Sequence, residues 1–384
     1  MSRHKYPRVH RSKKNSRDRR VVALLLLLIL GIAIWVWWRN QPPPRPVPTR
    51  PTPVVAPTNQ PAVKSIVASR RTNEVPRQTK TITNPPAASQ IPAPPPTEGF
   101  PRPPRDVFEA QVALARRAIS SGSLDGVMGS QTRAALLAFQ RNAGLSPTLQ
   151  LDADTRARLS LDTSPLTTSL ITSNDLARLQ PLSKTWLGKS QQTTLDYETI
   201  LELIAERGHA SPNLIRRLNP VIDWSNVVAG TAIQIPDVDY PRATRAGFAI
   251  ISLGGKTLEA FDANTNLLAH FPCSIAARVE KRPAGELHVT AIAPSPDYTF
   301  NPEVFPESAE AREIKTKLIL PPGPNNPVGT AWISLDKPGY GMHGTPSPEQ
   351  VGRTESHGCF RLANWNAEYL IKLVWVGMPV YVQP

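Results

Sequence analysis

The pattern of apolar and polar positions changes character several times along the 384 residues. Residues 21–38, VVALLLLLILGIAIWVWW, form an uncharged apolar run of 18 residues. As a helix this run would be about 27 Å long, which is enough to cross the hydrocarbon core of a bilayer. A basic tail, residues 1–20, precedes it. Because Lys and Arg stay on the cytoplasmic side, we predict a transmembrane signal-anchor helix, a cytoplasmic N-terminus and an exported C-terminal part.

A cleaved signal peptide is the alternative to this anchor. Such a peptide has an apolar core of roughly 7–15 residues, followed by a small-residue cleavage site. Here the apolar run is longer, and Arg39, Asn40 and a proline cluster follow it. This favours an uncleaved, single-pass protein of the inner (cell) membrane, with its bulk in the periplasm or cell envelope.

Residues 39–105 are predicted to be a Pro-rich disordered linker, because 19 of them are proline. Such a composition cannot bury a core and favours extended chain. Charge is also concentrated at the N-terminus, where residues 1–20 hold nine Lys or Arg and one acidic residue. The rest of the chain carries only about +6 of the net charge of +14. That excess is too small to predict a nucleic-acid partner.

Helical periodicity begins near residue 107 and predicts a small helical domain over residues 106–162. Ser130 is positioned to cap a helix whose apolar face continues towards Phe139. The sequence SLDGVMGSQTRAALLAFQ resembles the peptidoglycan-binding-like family, a three-helix module. The residues that carry the resemblance are Asp125, Gly126, Gly129, Thr132, Ala135, Phe139 and Gln140. The resemblance implies a glycan partner, whereas a helical spacer would use the same residues only to shape its fold.

Residues 163–190 are rich in Ser, Thr and Leu and are predicted to be a connector. The next segment, 191–240, has two helical patterns followed by a short alternating strand, TAIQI. Its Leu218-Asn219-Pro220 and GTAIQIP sequences resemble a LysM-like module, a small fold that binds N-acetylglucosamine-containing glycans. The opening strand of that fold is not evident. A packing module that braces the next domain is the alternative.

Short β-rich runs separated by Gly, Pro and Asn fill residues 246–384. The runs are GFAIISL, TLEAFDA, LLAHFPCSIA, ELHVTAIA and TKLILP, and only residues 364–376 have a clear helical pattern. Many short strands with turn signals predict an all-β sandwich or barrel-like domain with one helix. The chain is therefore predicted to be multidomain, with small helical and α+β modules between the transmembrane helix and this β domain.

The candidate chemistry is concentrated in GYGMHGTPSPEQVGRTESHGCFRL, since this stretch holds Cys359, His343 and His357 in a chain with two cysteines and seven histidines. Three explanations are open. Cys359 forms a disulfide with Cys273, or the two histidines and Cys359 bind a metal, or Cys359 is a nucleophile with a histidine base. The apolar strand around Cys273 argues against the first. The tight His-x-Cys spacing, without a clear fourth ligand, argues against the second.

The same stretch resembles the catalytic signature of the L,D-transpeptidase (YkuD) family, HGT followed by SHGCxR[LM]. The resemblance covers residues 246–384 and includes the upstream sequence PPGPNNPVG. It implies an enzyme with no cofactor and no metal, in which Cys359 attacks a peptidoglycan tetrapeptide stem and His343 is the base. It further implies that Gly344 orients the imidazole, that His357 and Gly358 shape an oxyanion hole, and that Ser356 and Arg361 bind substrate.

The product implied by this resemblance is a 3→3 cross-link, formed when the acyl group passes to an amine of a neighbouring stem and D-Ala is released. Water as the acceptor would give an L,D-carboxypeptidase or hydrolase instead, and a protein lysine would give attachment of a protein to peptidoglycan. A non-catalytic scaffold that binds the cell wall is the remaining alternative.

Overall fold

A computed structural model of the chain describes residues 99–305, 308–354, 356 and 358–384. The predicted basic tail, the predicted transmembrane helix and the predicted linker up to residue 98 lie outside the described residues. Among the helices within the described ranges, none combines the length and the apolar character needed to cross a membrane.

Three helices form the first module, as predicted: α1 (Val107–Ala115), α2 (Ser130–Asn142) and α3 (Ala153–Arg158). The predicted cap Ser130 is instead the first residue of α2, and Gly129 before it makes no side-chain cap. Asp106 caps α1 by accepting a hydrogen bond from the Glu109 amide. Asp152 caps α3 in the same way, with the Thr155 amide as donor. Short polar side chains at these positions satisfy backbone donors that the first helical turn leaves free.

The chain joins the first module before residue 106, so the predicted linker boundary at residue 105 is wrong. Arg102 exchanges two backbone hydrogen bonds with Leu161, at 3.0 and 2.8 Å. Its guanidinium also pairs with Glu109 at 2.6 Å. Composition alone misses this boundary because residues 99–105 are as proline-rich as the rest of the predicted linker. The backbone partner of Arg102 is Leu161, which lies 59 positions further along the chain.

Residues that carry the resemblance of the first module are used inside it. Gln140 is fully buried, and its side chain donates to Thr155 Oγ1 at 2.9 Å. Gln111 accepts from the Gly126 amide at 2.8 Å and donates to Thr132 Oγ1 at 3.0 Å. Buried amides that are satisfied in this way hold the loops between the helices. The motif therefore shapes the fold, whatever the module binds.

Two short strands and four helices form the second module: β1 (Leu166–Leu170), α4 (Ser173–Ala177), α5 (Trp186–Ser190), α6 (Ile200–Arg207), α7 (Pro212–Leu218) and β2 (Ala232–Pro236). The two strands pair antiparallel, with Leu166 opposite Pro236. The segment 163–190 is therefore not a plain connector, because it supplies β1 and two short helices. Its LTTSL strand lacks apolar alternation and pairs through its backbone, so composition does not indicate it. Strand β1 occupies the position of the opening strand of a LysM-like module. The resemblance of residues 191–240 to such a module stays a prediction.

The first two modules share one hydrophobic core. Fully buried side chains from α1, α2, α6, α7 and β2 belong to a single cluster that includes Leu114, Leu136, Ile204, Ile215 and Ile233. Backbone contacts also join the modules, since Leu124 N donates to His209 O at 2.9 Å and Ser211 N donates to Leu124 O at 2.9 Å. Two modules that are separate in sequence are thus continuous in packing.

The described residues of the C-terminal domain form ten strands and two α-helices. The strands are β3 (Phe248–Ser252), β4 (Thr257–Phe261), β5 (Leu267–Pro272), β6 (Gly285–Pro294), β7 (Tyr298–Phe300), β8 (Leu318–Leu320), β9 (Ala331–Leu335), β10 (Gly341–His343), β11 (Phe360–Arg361) and β12 (Pro379–Gln383). The helices are α8 (Ala309–Glu313) and α9 (Asn364–Leu373). The apolar runs read from the sequence correspond to strands. The short α8 is an addition to the one helix that was predicted.

Eight of these strands form one sheet that curls until its edges meet. The strand order is β11-β10-β9-β6-β12-β3-β4-β5, while β7 and β8 form a separate hairpin. Just beyond β5, Ser274 exchanges two backbone hydrogen bonds with Arg361 of β11, at 2.9 and 3.1 Å. A sheet that pairs its own edges leaves fewer unpaired backbone groups. The barrel-like prediction is confirmed in this coarser form, a curled sheet.

Helix α9 closes one side of this sheet, with Ala367 and Leu370 fully buried against it. The chain enters α9 directly from β11, so the helix start lies beside the ends of β10 and β11. That is the end of the sheet where HGT and SHGC are found.

Candidate active site

Adjacent strands bring His343 and Cys359 to the same face of the sheet. Strands β10 and β11 run parallel, with Met342 opposite Phe360 and His343 opposite Arg361. Because side chains alternate along a strand, Met342 and Phe360 point into the core, where both are fully buried. His343 and Arg361 lie on the other face, and Cys359, two positions before Arg361, shares it.

The imidazole of His343 is held in one orientation. Its Nδ1 donates a hydrogen bond to the Gly344 carbonyl at 2.6 Å, which leaves Nε2 as the basic nitrogen. The Trp332 indole stacks on the ring at a centroid distance of 5.4 Å. The side chain is only 6% exposed. This burial lowers the pKa of His343 to about 4, so the imidazole is neutral at pH 7.

Cys359 is a free, partly exposed thiol. Its Sγ donates to the Gly339 carbonyl at 3.4 Å. Burial raises the pKa of Cys359, and the nearby Arg361 charge works in the opposite direction. The other cysteine, Cys273, is also free and fully buried, so the alternative of a disulfide between them is excluded. His343 is therefore a neutral base and Cys359 a protonated thiol, and both belong to the same face of the sheet.

A tight turn presents Cys359. The Ser356 hydroxyl donates to the Cys359 carbonyl at 2.5 Å and accepts from the Gly358 amide at 3.2 Å. Ser356 is itself anchored to the opposite edge of the sheet, since its amide donates to Ile275 O at 2.8 Å. Both functions of the hydroxyl are used within the turn. Of the residues in the sequence signature, His357 lies outside the described residues.

Arg361 occupies the sheet face beside the thiol. Its backbone forms the pairing with Ser274 that closes the sheet. Burial lowers the pKa of its guanidinium, while Cys359 raises it. A guanidinium stays charged throughout the physiological range, so Arg361 contributes a fixed positive charge next to Cys359 and His343.

Comparison with known proteins decides what this domain is. Residues 246–382 match the family model of the L,D-transpeptidase catalytic domain. The C-terminal domain is an L,D-transpeptidase catalytic domain. Residues 104–159 match a second model, the "Putative peptidoglycan binding domain". Two of the three resemblances are thus confirmed, while the LysM-like one stays a prediction. The second match begins inside residues 39–105, the predicted linker.

Named relatives are similar to about half of the chain. "Putative L,D-transpeptidase YkuD" of Bacillus licheniformis is 27% identical over 184 residues, which are 48% of this chain and 93% of that protein. "Probable L,D-transpeptidase ErfK/SrfK" of Salmonella typhimurium is 29% identical over 186 residues, covering 47% and 59%. A crystal structure of L,D-transpeptidase 3 from Mycobacterium tuberculosis is similar at 18% identity and a TM-score of 0.29, over 41% of this chain and 77% of that one.

Asn364 is a residue of the L,D-transpeptidase domain that sequence reasoning missed. It is fully buried, and its Oδ1 accepts from the Thr345 amide at 2.9 Å. Its Nδ2 donates to Pro324 O at 3.1 Å and to Glu206 of the second module at 2.9 Å. A Cβ at Gly344 would clash with its Oδ1. Asn364 therefore holds the loop whose carbonyl orients the catalytic-signature histidine, and it explains why that loop needs glycine.

Tyr298 is a second residue that the sequence did not indicate. It lies on β7 of the separate hairpin. Burial and the neighbouring Cys359 raise the pKa of Tyr298 to about 12, so its hydroxyl is protonated at neutral pH and can donate a hydrogen bond. No signal in the sequence places this tyrosine near the thiol, because the two are 61 positions apart.

Metal ligation finds no support in the part of the chain that the structure describes, where no group of three or more His, Cys, Asp and Glu side chains is arranged to hold an ion. The proposed ligand His357 is not among those residues.

Proposed function

We propose that this protein is a peptidoglycan L,D-transpeptidase that forms 3→3 cross-links, with Cys359 as the nucleophile and His343 as the general base. The observation that carries the proposal is the orientation of His343. Its Nδ1 is committed to the Gly344 carbonyl at 2.6 Å, so Nε2 is the nitrogen free to accept a proton on the face that it shares with Cys359.

The first half-reaction forms an acyl-enzyme. The Cys359 sulfur attacks the carbonyl between the third and fourth residues of a tetrapeptide stem, while His343 Nε2 takes the thiol proton. A C–S bond forms, and a tetrahedral oxyanion develops. When the intermediate collapses, the C–N bond breaks and His343 returns the proton to the nitrogen of the departing D-Ala.

The second half-reaction transfers the acyl group. The side-chain amine of a diamino acid in a neighbouring stem attacks the thioester, and His343 removes a proton from that amine. The C–S bond breaks, a new amide forms, and the thiol of Cys359 is regenerated with the proton held by His343. The reaction exchanges one amide for another, so it requires no external energy source and no cofactor.

Neighbouring groups have assigned roles in this scheme. Gly344 orients the imidazole. Amides around Gly358 and His357 stabilise the oxyanion, which requires the Gly358 amide to leave the Ser356 hydroxyl that it contacts at 3.2 Å in the resting state. Arg361 attracts the carboxylates of the stem. Ser356, assigned to substrate binding from the resemblance, acts instead by holding the turn, because its hydroxyl already has a donor and an acceptor there.

Transfer itself tests the proposal. The full chain, purified in detergent, is incubated with a disaccharide-tetrapeptide, and the products are analysed by mass spectrometry beside the Cys359→Ala variant. We expect a dimer that is lighter than two monomers by one D-Ala, and no dimer with the variant. Tripeptide without dimer would show that water is the acceptor, and a stem joined to a protein lysine would show protein attachment. Unchanged substrate with both proteins would support the scaffold.

We also propose that peptidoglycan glycan strands bind the first module, and the second if it is LysM-like. Support for the first module comes from its match to a peptidoglycan-binding family over residues 104–159. Co-sedimentation of the Cys359→Ala chain with purified cell-wall sacculi tests this, because the variant cannot remain attached as an acyl-enzyme. Failure to sediment would leave both modules with a packing function.

The apolar run of residues 21–38 is proposed to anchor the protein in the inner membrane, with the catalytic domain in the periplasm. Its support is the sequence pattern alone. Carbonate-washed membranes should retain the full chain and release a variant that lacks residues 1–38. Protease added to the outside of spheroplasts should digest the catalytic domain. Recovery of the full chain in the soluble fraction would refute the anchor.

A further inference from the structure

The side chain of Asn364 joins three other segments of the chain. Its Oδ1 accepts from the Thr345 amide at 2.9 Å and from the Thr330 amide at 3.3 Å. Its Nδ2 donates to Pro324 O at 3.1 Å and to Glu206 Oε1 at 2.9 Å. These four hydrogen bonds use both donor hydrogens and both acceptor sites of the amide. Three of the partners belong to the catalytic domain, whereas Glu206 belongs to α6 of the second module.

Glu206 helps to determine which way the amide of Asn364 faces. Nδ2 has to lie towards its acceptors, so Oδ1 has to lie towards the Thr345 amide. Thr345 directly follows Gly344, whose carbonyl accepts from His343 Nδ1 at 2.6 Å. A chain of contacts therefore leads from Glu206 through Asn364 to the loop, residues 343–345, that orients the imidazole.

Close packing leaves the amide of Asn364 little room to move. A Cβ at Gly344 would clash with its Oδ1, and a Cβ at Gly329 would clash with the same atom. Asn364 is fully buried, so bulk water does not reach a donor that loses its partner. An unpaired buried donor is unfavourable. We therefore expect Asn364 and the loop that it holds to shift when the Glu206 acceptor is removed.

Helix α6 contacts the catalytic domain at a second glutamate. Glu202 accepts from Asn325 Nδ2 at 2.5 Å. Glu202 and Glu206 are four positions apart and therefore lie on the same face of the helix. Asn325 adjoins the residue whose carbonyl is the other acceptor of Asn364. A capping box fixes the first turn of α6, so the helix presents Glu206 at a defined position.

We propose that Glu206 is a positioning residue of the active site, which holds the loop of His343 in place through Asn364. The inference rests on the proposed function, because it takes His343 as the base. It makes the second module a part of the transferase, independently of any glycan that this module binds.

Two substitutions of similar length separate the acceptor of Glu206 from its bulk. Burial raises the pKa of Glu206 to about 8, although the Asn364 hydrogen bond lowers it, and the Glu368 carboxylate adds to the rise. The carboxyl group is thus mostly protonated at pH 7. Glutamine matches this neutral group and keeps the oxygen that accepts from Asn364, whereas methionine keeps the length and loses the oxygen.

Cross-linking by the full chain in detergent should follow the acceptor. Misplacement of a catalytic group by about 1 Å can lower rates by roughly 100-fold. We expect Glu206→Met to lower kcat by about tenfold or more, with a smaller change in KM, because the contacts lead to the base. Glu206→Gln should retain kcat to within about threefold of wild type.

Hydrogen exchange of the Thr345 amide measures the same arrangement without turnover. This amide is hydrogen-bonded to Asn364 Oδ1, and Thr345 is buried, so exchange should be slow in wild type. Glu206→Met should make it several-fold faster, and Glu206→Gln should leave it unchanged. Mass spectrometry of peptides that cover residues 341–346 gives the rate.

Two features of the chain provide controls. Glu198 is an exposed glutamate just before α6, so Glu198→Met should change neither kcat nor exchange. Cys273 is fully buried, so its alkylation by iodoacetamide reports unfolding of the domain. If Glu206→Met exposes Cys273, Glu206→Leu, which lacks the acceptor in a shorter side chain, decides by the same two measurements.

The outcomes separate this positioning from the function on which it rests. Wild-type kcat and wild-type exchange in Glu206→Met would overturn the proposal, and so would a change in only one of the two. Equal losses in Glu206→Met and Glu206→Gln would also overturn it, since the effect would not follow the acceptor. If wild type makes no dimer, the proposed function fails, and exchange at Thr345 alone still tests whether Glu206 holds the loop.

Discussion

The two cysteines lie on opposite sides of the seam that closes the sheet. Cys273 immediately precedes Ser274 at the end of β5, and Cys359 immediately precedes β11, whose Arg361 pairs with Ser274. Burial raises the pKa of both thiols, that of Cys273 to about 12. The direction of the pKa shift therefore does not distinguish the proposed nucleophile from the other cysteine, although a raised pKa is often taken as a sign of an unreactive thiol.

What separates the two thiols is their neighbours. Cys359 is partly exposed, shares a sheet face with the fixed imidazole of His343 and lies beside the Arg361 charge. Cys273 is fully buried among apolar side chains. A thiol without a nearby base must ionise alone, whereas one beside a neutral imidazole can lose its proton during attack. We therefore expect the position of the base and the access to the sulfur to decide which of the two thiols reacts.

Replacing each cysteine with serine should give the largest difference in cross-linking activity between the two positions. Cys359→Ser should lower cross-linking by about 1,000-fold or more, since a hydroxyl is a much weaker nucleophile at this pH. Cys273→Ser should keep kcat within about twofold, because the side chain faces away from the site. Rates of dimer formation by the two variants at equal concentration measure this. A Cys273 variant that folds and lacks activity would contradict the division between the two thiols.

Gly344→Ala should disturb the base without touching either cysteine. The added methyl group clashes with Asn364 Oδ1, which displaces the loop and its hydrogen bond to His343. We expect kcat to fall by about 10- to 100-fold. The matched control is Gly129→Ala, where a Cβ has no neighbour within 4 Å. Wild-type activity in Gly344→Ala would show that orientation by the Gly344 carbonyl is dispensable.

The pH dependence of cross-linking and of thiol alkylation should separate the two cysteines by a smaller effect than these substitutions, and this effect should change gradually with pH. Because the pKa of His343 is lowered to about 4, the base stays neutral and kcat/KM should fall only as the pH approaches that value. Because the pKa of Cys359 is raised, its alkylation should increase mainly above about pH 8.5, where an ordinary thiol is already half ionised. Mass spectrometry of the dimer gives kcat/KM at each pH. Mass spectrometry after timed alkylation gives the labelling rate of Cys359, and Cys273 should stay unlabelled. An acid limb near pH 6.5 would argue that His343 is not desolvated as described.

The free energy of unfolding should show the smallest effects, and here the change at Cys273 should matter more than the change at Cys359. Cys273→Ala leaves a small cavity in the core of the sheet and should cost about 1–2 kcal/mol of unfolding free energy. Cys359→Ala removes a partly exposed side chain and should change the unfolding free energy by less than about 0.5 kcal/mol. Urea denaturation at one protein concentration measures both. A larger loss for Cys359→Ala would indicate a structural function for the reactive thiol.

Sequence reasoning succeeded where the signal is local. The apolar runs of the last domain correspond to strands, and the short motifs that hold His343 and Cys359 adjoin the paired strands β10 and β11. In each case the physical cause acts within a few positions of the chain.

The contacts that the sequence did not indicate all join distant segments. Asn364 meets Glu206 across 158 positions, and Trp186 meets Phe300 across 114. Strand β1 is stabilised by backbone pairing with β2, which leaves no apolar periodicity to detect. Such partners are determined by the packing of whole modules, so no pattern within either segment reveals them.

The common interior beneath the two N-terminal modules limits how this chain can be divided. The boundary near residue 162 passes through interlocked side chains of α1, α2, α6 and α7 rather than through solvent. Cutting there would expose two complementary apolar surfaces that an independent domain never shows. Anyone who exchanges N-terminal modules between such enzymes would therefore have to move the two together, and we expect heat to melt them in one step although the sequence indicates two.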